Sequence, residues 1–308
     1  MKLTRRDFLG ASTALAGAFG LQATGLLPAG EALALEAVDG GMPVLWLQAQ
    51  TCTGCSVSLL NSIYYTTIDD LLLNKLDVDF HPNLMAAAGD SAVAAAEATY
   101  QKGGYVLVVE GAIPSGANGE YCYLWKGTKA KDGWSRFAQR ARFVIAAGTC
   151  ASFGGVYAGA PNPTGAAGLP ATYGGKRIIK VPGCPTHPDW LVAVIAYILK
   201  TNTIPALDSY GRPKEFFSRT VHEQCPLRES DEAERLSQQG CLKELGCNGP
   251  RTKADCPKRR WNSPGAGQTG VNWCIGAGTP CYGCTEPGFP DQMSPFFEFE
   301  EEDSEHDD

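Results

Sequence analysis

Beyond its first 34 residues the chain has no apolar run approaching the ~20 residues that span a bilayer. The mature protein is therefore expected to be soluble, without a membrane span. It also lacks a basic stripe. Net charge is −7, but residues 298–308 hold eight carboxylates, so everything before them sums to +1. The acidity is local, and no nucleic-acid partner is expected. Histidine is scarce, with four residues, and most of these are expected to be solvated loop side chains. No internal repeat of fixed period is present. Cysteine is what the chain has in quantity. Twelve in 308 residues demand a redox, metal or disulfide explanation.

The N-terminus reads as an address. Lys2-Leu3-Thr4-Arg5-Arg6-Asp7-Phe8-Leu9 leads into a weakly apolar stretch ending in Ala32-Leu33-Ala34, which has the form of a signal-peptidase site. The paired arginines followed by Asp-Phe-Leu point to the twin-arginine route, hence to a periplasmic protein exported folded. An oxidising compartment favours disulfides, but a chain folded before export can acquire metal clusters in the reducing cytosol.

Residues 43–205 alternate strand-length apolar runs with helical patterns. The runs at 44–48, 105–109, 143–147 and 178–181 are interleaved with helical candidates at 56–63, 86–98, 134–142 and 189–200. This order predicts an α/β fold with a doubly wound, mostly parallel sheet. Residues 206–291 are rich in Pro, Gly, Cys and charge, too poor in periodic apolar segments to hold a fold unaided. Residues 292–308 form an acidic tail. Its simplest reading is a solubilising end, and a sharper one is electrostatic steering of a basic electron carrier.

Three of the expected strands run straight into cysteine: Cys52-Thr53-Gly54-Cys55, Gly148-Thr149-Cys150 and Pro182-Gly183-Cys184-Pro185. In a parallel sheet all carboxyl ends share one edge, so Cys52, Cys55, Cys150 and Cys184 are expected to converge there. Four thiolates suit a [4Fe–4S] cubane and also zinc. Gly54, Gly148, Gly154, Gly155 and Gly183 would let backbone approach a bulky core. A thioredoxin-like pair at Cys52/Cys55 is the alternative.

Downstream stand His222, Cys225, Cys241, Cys247, Cys256, Cys274, Cys281 and Cys284. Sequence proximity divides them into His222, Cys225, Cys241 and Cys247 as one set and Cys256, Cys274, Cys281 and Cys284 as another. A disulfide framework and structural zinc remain open for this region. Cys122, between Tyr121 and Tyr123, is left over as a packed thiol.

Together these motifs resemble the small subunit of nickel–iron hydrogenases over about residues 43–295. The resemblance is carried by Trp46-Leu47-Gln48 before Cys52-Thr53-Gly54-Cys55-Ser56, then Val109-Glu110-Gly111-Ala112-Ile113-Pro114, Gly148-Thr149-Cys150 and Pro182-Gly183-Cys184-Pro185 with His187-Pro188-Asp189-Trp190. It continues through His222-x-x-Cys225-Pro226, Leu245-Gly246-Cys247-Asn248-Gly249-Pro250 and Pro280-Cys281-Tyr282-Gly283-Cys284-Thr285-Glu286-Pro287. It implies a flavodoxin-like domain holding a proximal cluster on Cys52, Cys55, Cys150 and Cys184, a distal cluster on His222, Cys225, Cys241 and Cys247, and a medial one between them. The hydrogen-activating nickel–iron site would lie in a separate large subunit. This chain would then carry electrons to a soluble periplasmic cytochrome c, with no catalytic residue of its own. Glu110 is the one carboxylate near the first cluster to consider for a proton path, with a structural role favoured.

Two departures refine the resemblance. Many members have proline where this chain has Cys274, and their medial cluster is [3Fe–4S]; the extra thiolate predicts [4Fe–4S], as in the nickel–iron–selenium subgroup. Oxygen-tolerant members carry two further cysteines where Gly54 and Gly155 stand here, so an ordinary proximal cubane is expected. The rival readings are a flavoprotein on the same fold and a zinc-stabilised binding module.

Overall fold

The computed structural model describes residues 42–296 except Ser237 and Ala266. The expected signal peptide and residues 297–308 of the acidic tail lie outside the described residues. No described helix is long and apolar enough to cross a membrane.

Five segments form one parallel sheet: β1 (Met42–Gln48), β2 (Leu76–Phe80), β3 (Val106–Glu110), β4 (Phe143–Ala147) and β5 (Ile179–Val181). Their spatial order is β5-β4-β3-β1-β2 and every pairing is parallel. This is the flavodoxin order, whose strand direction of winding reverses between β1 and β3. Strands β3 and β4 are buried along their whole length, which explains their near-continuous runs of Val, Ile, Leu and Ala. Strand β2 was not foreseen. Its sequence, Leu-Asp-Val-Asp-Phe, suits an edge strand paired only with β1: Asp77 is exposed, and half-buried Asp79 accepts the Thr99 hydroxyl.

Helices α1 (Gly54–Leu60), α2 (Asp90–Lys102), α3 (Ala130–Arg140), α4 (Gly148–Phe153) and α5 (Pro188–Thr201) surround the sheet. Helix α2 begins four residues later than the apolar pattern predicts and runs four residues further. Gly89 and Gly103, both at positive φ, bound it, conformations that favour glycine. Helix α5 keeps close to its predicted span, because Pro188 fits the first turn and the His187 side chain accepts the Asp189 amide.

One sheet face buries Leu45, Leu47, Leu107, Val109 and Val144 with residues of α2 and α3. The other buries Trp46, Val108 and Ile145 against α5. That second cluster continues into the cysteine-rich segment through Phe216, Phe217, Leu242, Leu245, Trp273 and Ile275. The segment's few apolar residues thus do not build a core of their own. They extend the core of the sheet, which relaxes the requirement for cross-links expected from composition.

Candidate metal centres

The loop after β1 places Cys52 and Cys55, the turn after β4 places Cys150 within α4, and the loop after β5 places Cys184. All three connections leave the carboxyl edge, beside the reversal between β1 and β3. The four sulfurs lie within electrostatic reach of one another. Burial above all, with Cys184 and Cys52 acting in the same direction, pushes the Cys150 thiol up to about 12. Burial also raises Cys55, followed by Glu110, Cys150 and Cys184.

Glycine makes room around these sulfurs. A Cβ on Gly148, at φ +83°, would fall 2.4 Å from Cys55 Sγ, and one on Gly155, at φ +52°, would fall 2.9 Å from Cys150 Sγ. Both positions combine positive φ with close approach, so side chains are excluded twice over.

Glu110, at the end of β3 and 1% exposed, braces the Cys52–Cys55 loop. Its Oε1 accepts the Cys55 and Ser56 amides at 3.1 and 3.3 Å and the Thr51 hydroxyl at 3.1 Å. Its Oε2 accepts Trp46 Nε1 at 2.9 Å, Gln48 Nε2 at 3.2 Å and Ser56 Oγ at 2.5 Å. A carboxylate so fully engaged is held as a fixed acceptor.

In the second set, His222 sits on the helical turn Val221–Gln224, opened by a reciprocal cap between Thr220 and Glu223. His222, Cys225, Cys241 and Cys247 line one small cavity, closed by Leu227, Leu242 and Ile275. Burial raises the Cys225 thiol, with Cys241 and Cys247 adding to it.

In the third set, Cys256 begins the turn Cys256–Arg259, and burial raises its thiol well above the ordinary range, with Cys284, Cys281 and Cys274 contributing. Burial takes Cys281 up to about 12. Neighbouring sulfurs thus perturb thiols within each proposed foursome, Cys281 and Cys274 also feel Cys247 of the second set, and Cys122 stays apart as a half-buried thiol raised by burial.

No disulfide joins any of the twelve cysteines. Four thiolates on one zinc each lie about 2.3 Å from it. Among the described residues, no three His, Cys, Asp or Glu side chains stand close enough to hold a single ion. Desolvated thiols crowded together ionise only if a strong positive charge compensates, which fits an inorganic iron–sulfur core.

Two histidines depart from the solvated reading. His81 and His187 are 1% and 2% exposed. Nε2 of His81 lies 3.1 Å from Ser56 Oγ. His187 Nε2 faces the Arg260 carbonyl at 2.7 Å while Nδ1 takes the Asp189 amide, which fixes the Nε2–H tautomer. Sequence reasoning also passed over Thr149, whose only signal was its place between Gly148 and Cys150.

Two family models match the chain. One, for the 20 kDa subunit of NADH ubiquinone oxidoreductase, covers residues 52–198 and so Cys52, Cys55, Cys150 and Cys184, with Cys122. The other, for the C-terminal part of the NiFe/NiFeSe hydrogenase small subunit, covers residues 217–297 and the remaining eight candidates. The periplasmic [NiFeSe] hydrogenase small subunit of Desulfomicrobium baculatum is 38% identical over 96% of this chain and 99% of its own length. The chain belongs to the nickel–iron hydrogenase small-subunit family. The periplasmic [NiFe] hydrogenase small subunit 1 of Nitratidesulfovibrio vulgaris Hildenborough is 40% identical over 96% of this chain and 93% of its own. The crystal structure of the reduced, active Ni-Fe-Se hydrogenase of D. baculatum superposes with a TM-score of 0.76, covering 84% of this chain and 100% of that one, at 38% identity. A hydrogenase small subunit works within an oxidoreductase complex, paired with a large subunit. Its α/β fold and parallel sheet are those expected from the sequence.

Proposed function

We propose that this hydrogenase small subunit relays electrons through three [4Fe–4S] clusters between the large subunit's hydrogen-activating site and a soluble periplasmic cytochrome c. Cys52, Cys55, Cys150 and Cys184 would hold the proximal cluster. His222, Cys225, Cys241 and Cys247 would hold the distal one, and Cys256, Cys274, Cys281 and Cys284 the medial one. The clusters, when bound, supply reversible one-electron storage. The residues supply thiolates, of which Cys55, Cys241 and Cys281 are buried.

The observation that carries this reading is the chain of contacts between the foursomes. The Cys281 amide donates to Cys247 Sγ at 3.3 Å, joining the third set to the second. Cys284 is perturbed by Cys184, joining the third set to the first. These two contacts support a medial position for the Cys256 set. His222 in place of a thiolate removes one negative charge from the distal site and favours its reduced state.

The periplasmic names of the relatives and the Arg5-Arg6 leader support export by the twin-arginine route. Shifts of composition along the chain support domain limits of 1–34 for the leader, 43–205 for the flavodoxin-like part, 206–291 for the two-cluster part and 292–308 for the tail.

The test is spectroscopic. The matured heterodimer should show a broad visible shoulder bleached by hydrogen, and reduced-state EPR should resolve interacting cubanes. Two resolved flavin bands, or a colourless protein, would overturn the reading.

A further inference from the structure

Thr149 has a position that ligand-holding alone does not explain. It precedes Cys150 and is wholly buried. Its hydroxyl donates to the Cys284 carbonyl and accepts the Gly183 amide at 2.8 Å. Its own amide donates to the Gly183 carbonyl at 3.0 Å. One side chain, on the residue before Cys150, thus ties the residue before Cys184 to the main chain of Cys284. Donor and acceptor capacity are both used, so the hydroxyl has a single orientation.

We propose that Thr149 is a positioning residue for electron transfer, its hydroxyl forming the bonded bridge between the proximal and medial foursomes. This rests on the cluster assignment proposed above. Tunnelling decays less steeply through bonds and short hydrogen bonds than through empty contact, so the route Cys150–Thr149–Oγ–H···O=C of Cys284 competes well against a jump across packed atoms. The main chain of Cys184 also faces the Cys284 sulfur. Beyond the medial set, the Cys281 amide reaches Cys247 Sγ, and the Asn248 amide returns to the Cys281 carbonyl at 2.8 Å. Both gaps in the relay are therefore crossed by hydrogen bonds that involve a medial cysteine.

Each transfer moves one electron. The site on Cys52, Cys55, Cys150 and Cys184 is oxidised by one electron as the site on Cys256, Cys274, Cys281 and Cys284 is reduced by one. No covalent bond forms or breaks, and Thr149 keeps its proton.

The experiment uses the matured heterodimer with Thr149→Val, which removes the hydroxyl at nearly constant volume, and Thr149→Ser, which restores it. The rate of electron transfer from the proximal to the medial site is read after rapid photoreduction. Iron content, the midpoint potentials and the EPR line shapes of both sites are measured in parallel. The proposal expects transfer slowed several-fold in Thr149→Val and a rate close to wild type in Thr149→Ser, with potentials and iron content unchanged in both. An unchanged rate in Thr149→Val with clusters intact would overturn it, as would an equally slow Thr149→Ser. If Thr149→Val does not mature, Thr149→Ala is read by the same criteria; if neither hydroxyl-free variant matures with clusters intact, Thr149 is required for assembly and the positioning role is rejected. A wild-type heterodimer free of iron would instead overturn the cluster assignment.

Discussion

The carboxylate of Glu110 accepts the main-chain amide of Cys55 at 3.1 Å, joining the end of β3 to the first cysteine loop across 55 positions of sequence. The pairing of Gln48 with Glu110 at the ends of β1 and β3 puts that carboxylate beside the loop. The same carboxylate takes the Ser56 amide and the Trp46 indole. The first foursome is thus shaped by an acid that is itself immobile.

Replacing Glu110 by Gln puts an amide donor among groups that are all donors. At least one buried donor then loses its acceptor, at a cost of about 1–3 kcal/mol. Thermal unfolding of the matured complex should show a lower midpoint, and the proximal EPR signal should broaden or weaken. A variant as stable as wild type with an unaltered signal would contradict the bracing role.

Cys274→Pro should convert the medial cluster to [3Fe–4S]. The main chain accepts this change, because Cys274 has φ −51°, within proline's range. EPR of the oxidised variant should gain the signal of a three-iron cluster, and its potential should rise as a thiolate is lost. Failure to gain that signal would remove Cys274 from the ligand set.

His222→Cys should lower the distal potential, by on the order of 100 mV, since an imidazole gives way to a thiolate. The cavity that His222 shares with Cys225, Cys241 and Cys247 has room for a ligand at this position. A redox titration followed by EPR reads the shift. No shift, with the cluster retained, would place His222 outside the coordination sphere.

His187 makes part of the stability depend on pH. Burial lowers its pKa to about 3, so the folded protein keeps it neutral where the unfolded chain, near 6.5, binds a proton. The unfolded state then carries more protons between these values, and this contribution to stability is full above about 6.5 and lost as pH falls toward 3. Burial moves neighbouring Asp189 the other way, up to about 6 from 3.8, so its contribution falls as pH rises through that window and partly offsets the first. His187→Asn keeps a helix-capping acceptor without the titration. Relative to that variant, wild type should lose about 2 kcal/mol between pH 7 and pH 5, read by denaturant unfolding at each pH. Parallel pH profiles would contradict the buried neutral imidazole.

Much of this architecture is legible in the residues. The runs at 106–110 and 143–147 are buried along their whole length, and such strands announce themselves by nearly continuous apolar sequence. Strand β2 alternates Asp77 and Asp79 with Leu76, Val78 and Phe80, the pattern of a half-buried edge strand, and a reading that follows continuous apolar runs passes over it. His187 is illegible for a different reason. Its burial arises from Trp190 and Trp261, the latter 74 positions away. The grouping proposed for the last eight candidate ligands rests on sequence order. The bridge at Thr149 joins residues 135 apart, and no local pattern marks it.

Iron and acid-labile sulfide, measured per chain on the purified, matured heterodimer, test the central claim most directly. Three cubanes on this subunit predict about twelve of each, beyond the iron of the large subunit. A small subunit carrying zinc instead, or no metal and oxidised cysteine pairs, would contradict the account.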